Sequence, residues 1–223
     1  MGLGQTEAFV MMHVMLSAVK DLVGYAQRVP GVLSVAYAAR ELIHPAGGFA
    51  SGVYLVAQGL VGLYAPNHGQ RVVFHVLKPG DFLGLEAWLP DARPQYVATA
   101  RALTDVDLLF FPPPVWNRAT EDTEFRALVF AALGQIWKGL IIKDIHHRDA
   151  QGGVVWAFQH WGERTPHGVR LPLNLSLLAQ ILGLSRTTLK QALRRLGVVQ
   201  DGDALMLPKA WAQDFPGATG SPQ

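Results

Sequence analysis

The spacing of apolar positions changes several times along the chain. Over residues 6–27 they recur at helical intervals, with Phe9, Met12, Val19, Leu22 and Val23 among them, and predict an amphipathic helix. From about Val32 to Phe111 the pattern becomes short β-favouring runs at 53–56, 60–64, 71–77 and 106–111, divided by Gly, Pro and Asn. Many short strands at near-regular spacing predict a compact sandwich or roll. Pro112-Pro113-Pro114 closes that region, and residues 120–148 read as one long helix without proline. At about 1.5 Å per residue it would span roughly 40 Å, more than a packed connector needs. It carries Phe125, Val129, Ala132 and Ile136 on one stripe and Leu133, Trp137, Leu140 and Ile141 on another. One stripe is expected to pack on the β region and another on a second subunit, and Phe125, Val129, Ala132, Ile136 and Leu140 are assigned to that dimer seam. Burial of the helix inside a monomer is the competing reading.

The most informative pattern is at 174–195. Asn174 suits the N-cap of a helix whose inward residues are Leu175, Leu178, Ala179 and Leu182. Gly183 stops that helix, and Ser185 can cap the next, so two helices meet across a turn of about three residues. In the second helix Leu189, Leu193 and Leu196 point inward, while Arg186, Thr187, Lys190 and Arg194 lie on the other side, where a DNA major groove would fit. The alternative is a helical hairpin with a solvated basic face. Two short apolar stretches then flank an Asp201-Gly202 turn, which predicts the hairpin of a winged helix with an acidic tip at Asp201 and Asp203.

Charge agrees with that placement. The chain has a net charge of only +2, yet residues 151–200 hold Arg164, Arg170, Arg186, Lys190, Arg194 and Arg195 against Glu163 alone. Half of the 223 residues are hydrophobic and 16% charged, so a core is ample and disorder is not expected. Cysteine is absent, which excludes disulfides, thiolate catalysis, Cys-ligated zinc and cysteine-held iron-sulfur clusters. The stretch from Phe9 to Leu16 is interrupted by His13 and followed by Lys20-Asp21, so neither a signal peptide nor a membrane span is read, and a cytoplasmic location is expected.

The order of parts, a β-roll, a long helix and a winged helix-turn-helix, resembles the Crp/Fnr family of bacterial transcription regulators. The local match rests on Arg40-Glu41-Leu42-Ile43-His44-Pro45-Ala46-Gly47, on the strands 53–63, on Leu77-Lys78-Pro79-Gly80-Asp81-Phe82-Leu83-Gly84, and on Gly183-Leu184-Ser185-Arg186-Thr187-Thr188-Leu189. The resemblance covers about residues 30–210. It implies an α+β chain: an N-terminal helix (1–29), a double-stranded β-helix or jelly-roll sensor domain (30–118), a dimerisation helix (119–149), a winged helix-turn-helix (150–215) and a flexible tail (216–223). It also implies a homodimer that binds double-stranded promoter DNA and contacts RNA polymerase. Ser185, Arg186, Thr187, Lys190, Gln191 and Arg194 are the DNA-contact candidates. Phe82, Gly84, Leu85, Glu86, Tyr96 and Val97 are the effector-pocket candidates.

The departures from the family pattern are as informative. Cyclic-nucleotide-binding members hold the phosphate with an arginine followed by a hydroxyl residue, a bidentate charge-assisted contact. Here the matching stretches read Gly84-Leu85-Glu86-Ala87 and Gln95-Tyr96-Val97-Ala98, and neither Arg93 nor Arg101 stands at the matching position. Cyclic AMP is therefore not expected to be the effector. In the recognition helix Thr187 stands where many relatives carry Glu, and Gln191 replaces a second Arg.

Eight histidines raise the question of metal or haem. His146 and His147 are adjacent, which would point them about 100° apart on a helix, and His160 and His167 flank Glu163 without a ligand motif. No cofactor or metal is predicted, although relatives that bind haem keep haem or a small organic effector open. No nucleophile, base and orienting residue form a constellation, so no enzyme is read. The alternative to a DNA-binding regulator is a ligand-binding β-roll module whose helical tail contacts proteins.

Overall fold

The computed structural model describes residues 22–65, 73–88, 94–146 and 149–209, with 138–146 by backbone alone. The chain divides into two compact units, one within residues 17–138 and the other containing 139–223. In the first unit, helix α1 (residues 22–28) precedes β1 (Leu33–Tyr37), β2 (Leu42–His44), β3 (Val53–Gln58), β4 (Val61–Tyr64), β5 (Val73–Leu77) and β6 (Phe82–Leu83). A 3-10 turn at Leu85–Trp88, β7 (Thr99–Ala102), β8 (Val106–Phe111), α2 (Pro113–Glu121) and α3 (Thr123–His146) follow. The expected helix over 6–21 lies outside the described residues.

Two four-stranded sheets, in the orders β1-β8-β3-β6 and β2-β7-β4-β5, make the roll. All the pairings are antiparallel. Side chains alternate across β3, and both of its faces are covered. Val53 and Leu55 face a cluster with Phe82, Leu109 and Phe111 of the same sheet and with Leu22, Trp116, Ala119 and Phe125 of the helices. Tyr54 and Val56 face the interior between the sheets, with Leu77, Leu83, Tyr96, Ala100 and Leu108. Fully burying one such large side chain contributes about 1.5–3 kcal/mol, so these two layers are the main stabilisers of the unit.

The helical part differs from its sequence pattern in two ways. The prolines end β8 but do not exclude a helix: Pro113 and Pro114 are the first two residues of α2, where their missing N–H groups cost nothing. The long segment is then broken at Asp122, whose extended backbone ends α2 and whose Oδ1 accepts from Glu124 N (2.8 Å) and Phe125 N (3.0 Å) to cap α3. For three of its five residues the assigned dimer seam is also corrected. Phe125, Val129 and Ala132 are buried in the unit's own core, Ile136 is half-buried, and the side chain of Leu140 lies outside the described residues. Among the described side chains of α3, the exposed large apolar ones are Phe130 (72% exposed), Leu133 (39%) and Trp137 (66%).

The second unit contains α4 (Ala150–Trp161), β9 (Glu163–Thr165), β10 (Gly168–Leu171), α5 (Leu175–Leu182), α6 (Arg186–Arg195), β11 (Val199–Asp201) and β12 (Ala204–Pro208). Its sheet has the order β11-β12-β10-β9, so the expected hairpin of β11 and β12 is half of a larger wing. Among the described residues, no helix is long and apolar enough to cross a membrane.

Candidate nucleic-acid interface

The helix pair at the interface is fixed by local chemistry at each end. Asn174 Oδ1 accepts from Leu177 N (2.9 Å) and starts α5. Gly183 ends it with a φ of 64°, a left-handed conformation that glycine adopts without a Cβ penalty, while Leu184 N donates to Ala179 O at 2.9 Å. Ser185 then caps α6, accepting from Thr188 N at 3.1 Å, with its Oγ also 2.8 Å from Thr188 Oγ1. Such a cap contributes about 1 kcal/mol and fixes where the exposed face of α6 begins.

Below that face, Leu189, Ala192 and Leu193 are buried with Leu178, Ala179, Ile181 and Leu182 of α5. Helix α4, which the sequence pattern did not reveal, packs on α6 and β10. It is capped by Asp149 Oδ1 on Gly152 N (2.8 Å) and contributes Val154, Trp156, Ala157, Phe158 and Trp161 to the core. Trp156 stacks on His160 with centroids 4.5 Å apart and meets Trp161 edge-on at 4.8 Å.

Every DNA-contact candidate named from the sequence lies on the exposed side of α6: Ser185, Arg186, Thr187, Lys190, Gln191 and Arg194. Thr188 and Arg195 are exposed as well. At about 100° per residue, Arg186, Lys190 and Arg194 fall in a row, Thr187 and Gln191 follow, and Arg195 marks the far edge. Among the described residues the one ion pair is Arg170 with Glu163 at 3.5 Å, so none of the four cations of α6 is neutralised by a neighbouring carboxylate. The wing tip, Asp201-Gly202-Asp203, is exposed and acidic, which places the phosphate-attracting charge on α6 and not on the hairpin tip.

The effector-pocket candidates divide between two faces of one sheet. Phe82 faces the helices, with its ring 5.7 Å from that of Trp116, and Leu85 packs on the same cluster. Tyr96 is 2% exposed and lies in the interior layer, where its hydroxyl donates to Gly52 O (3.0 Å) and sits 3.4 Å from Ser51 Oγ. Gly84, at φ 86°, receives its edge: a Cβ there would stand 2.8 Å from the Tyr96 ring. Val97 is 65% exposed, and its N–H donates to Glu86 Oε1 at 3.4 Å.

Two titratable groups beside this layer are displaced by burial. His44 is stacked on Tyr96 and neither ring nitrogen has a well-formed hydrogen bond. Burial lowers its pKa to about 4, opposed only in part by the backbone at Ala98 and Pro45. Burial raises Asp81 to about 6, against the N–H and the charge of Lys78, whose N donates to Asp81 Oδ2 at 2.9 Å. No group of His, Asp and Glu among the described residues is arranged to hold a metal ion.

Residues 34–123 match the family described as the cyclic nucleotide-binding domain. Among curated proteins none matches significantly. Of solved structures, the c-di-GMP-responsive global regulator CLP of Xanthomonas campestris is 17% identical, with 86% of this chain and 99% of that chain covered at a TM-score of 0.59. A CRP-family transcriptional regulator of Thermus thermophilus is 20% identical, covering 83% and 100% at a TM-score of 0.64. A CRP/FNR-family regulator of the same organism is also 20% identical, covering 82% and 99% at 0.56. Residues 34–123 thus resemble the cyclic nucleotide-binding domain, and the chain has the fold seen in solved CRP/FNR-family transcriptional regulators.

Proposed function

We propose that this protein is a homodimeric, sequence-specific DNA-binding transcription regulator that works without cyclic AMP. The observation that carries the reading is the exposed face of α6, with Arg186, Lys190, Arg194 and Arg195 unpaired by any carboxylate among the described residues and Thr187 and Gln191 among them. Guanidinium groups placed on a groove-sized helix can meet guanine O6 and N7 in pairs, while the outer cations meet phosphate. Relatives in fold are regulators, which agrees with this reading.

Dimerisation is supported by Phe130, Leu133 and Trp137, an exposed stripe at spacings of three and four on α3. Independence from cyclic nucleotides is supported by Tyr96, which holds interior space and offers a phenol with no fixed cation for a phosphate. Anisotropy titrations of labelled promoter duplexes with the full chain, with no additive, test the reading. Saturable binding that weakens steeply with salt is expected. Absence of binding at low salt would instead favour a tail that contacts proteins.

A further inference from the structure

A cavity of about 330 Å³ opens between the end of α1 and the joint of α2 with α3, lined by none of the residues of the roll interior. Val29, Pro30 and Ala119 supply apolar walls, and Arg28 and Arg118 stand on its lining. Its size lies at the lower end of small-molecule sites. Arg118 donates to the Pro30 carbonyl and so bridges α2 to the segment after α1. Arg28 holds its guanidinium carbon 5.9 Å from the Tyr25 ring centroid, and that ring stacks on Phe125 at 5.5 Å. Both guanidinium groups are exposed at the cavity, and neither has a carboxylate within ion-pair distance among the described residues.

One carboxylate, Asp122, also lines the cavity, but it is engaged elsewhere. Its Oδ1 caps α3, and the Phe125 N–H, followed by the Tyr25 hydroxyl, holds it below the ordinary carboxylate range. The cavity therefore presents two cations, a committed anion and an aromatic and aliphatic wall. Each guanidinium carries five N–H donors in a planar fork that matches a phosphate or carboxylate, and one donor of Arg118 is already given to the Pro30 carbonyl. We propose that this cavity binds a small organic anion, a phosphate or carboxylate carried on a planar body, with Arg28 and Arg118 on the anionic group and the body against Tyr25, Val29 and Ala119. Such a ligand would tie α1 to the joint where α3 begins. The inference does not rest on the DNA-binding reading.

Isothermal titration of the full chain at low salt with phenyl phosphate, inorganic phosphate and benzyl alcohol tests it. Phenyl phosphate is expected to bind saturably at millimolar concentration or below, more tightly than inorganic phosphate, with benzyl alcohol silent. Arg28→Ala, an exposed position, should weaken phenyl phosphate about tenfold, the scale of a lost charge-assisted pair. Arg118→Lys, which keeps the charge near Pro30, should weaken it less, and Arg186→Ala with Arg194→Ala should leave it unchanged. The proposal is overturned by absence of saturable binding, by equal binding of the two phosphates, or by binding that the α6 pair abolishes and Arg28→Ala leaves intact.

Discussion

The imidazole of His44 lies flat on the ring of Tyr96, with centroids 3.7 Å apart and planes 16° from parallel. This stack occupies the interior side of the roll, roofed by Tyr54, whose ring centroid is 6.2 Å from that of His44. Its two aromatic members fit because Gly52 receives the Tyr96 hydroxyl on its carbonyl and Gly84 leaves room for the ring edge. The stack is thus a packed core feature in the segment where the sequence resemblance would place an effector.

Tyr96→Phe removes the bond to Gly52 O and the longer contact with Ser51 Oγ and should cost about 1 kcal/mol. Tyr96→Ala empties the ring volume and should cost about 3–5 kcal/mol, as for other large aromatic truncations in cores. Urea denaturation of the two variants measures both. A cost below about 1 kcal/mol for the alanine variant would mean that the ring fills no tightly packed space.

His44 and Asp81 should make acid stability depend on two opposing groups. His44 has its folded pKa lowered to about 4, so its contribution is present above the ordinary histidine value of 6.5 and is lost as pH falls toward 4. Asp81 has its folded pKa raised from 3.8 to about 6, so the folded form takes up a proton first and gains stability over the overlapping range from 6 down to 3.8. In His44→Phe the gain from Asp81 is unopposed, and stability between pH 6 and pH 4 should change upward relative to wild type. In Asp81→Asn the histidine loss is unopposed and the decline should steepen. Thermal unfolding across that range checks the opposite signs, and parallel profiles for both variants would refute them.

On α3 the buried and open stripes should respond differently. Trp137→Glu or Leu133→Glu places a charge on the exposed apolar face and should yield a folded monomer, because an unpaired charge at an apolar seam costs several kcal/mol. Phe125→Ala should lower stability by about 3–5 kcal/mol without changing the association of the folded fraction. Sedimentation velocity separates the cases. A wild-type chain that is monomeric at micromolar concentration would contradict the dimer seam.

Local features were the legible ones. The helix pair could be read because Asn174, Gly183 and Ser185 each act on their own helix end, and because Leu178, Leu182, Leu189 and Leu193 keep one period. Strands at 53–58 and 106–111 are marked by β-favouring apolar runs, broken only by Asp107 and by Gln58 at the end of the first. Pro113 and Pro114 misled, since proline signals both a strand's end and a helix's first turn. Helix α4 was obscured by Gly152-Gly153 and by an apolar pattern without a clear stripe; Gly153 lies buried near Leu182, where a Cβ would stand 3.6 Å away. Periodicity showed two apolar stripes on α3 but not which partner each meets, which depends on contacts distant in sequence. Pairing Tyr96 with His44, 52 positions apart by their numbers, is of the same kind.

The central claim is that α6 reads DNA bases without help from a cyclic nucleotide. Selection of duplexes from a random-sequence pool by the full chain, with no additive, followed by the same selection with Arg186→Ala, tests it most directly. The wild type should enrich a two-fold symmetric site with half-sites about one helical turn, roughly 34 Å, or a multiple of it apart. Arg186→Ala should lose about 1–3 kcal/mol on that site with relaxed preference at a guanine, while Arg194→Ala weakens all duplexes alike. An identical enriched motif from wild type and Arg186→Ala, or enrichment only when cyclic AMP is supplied, would contradict the account.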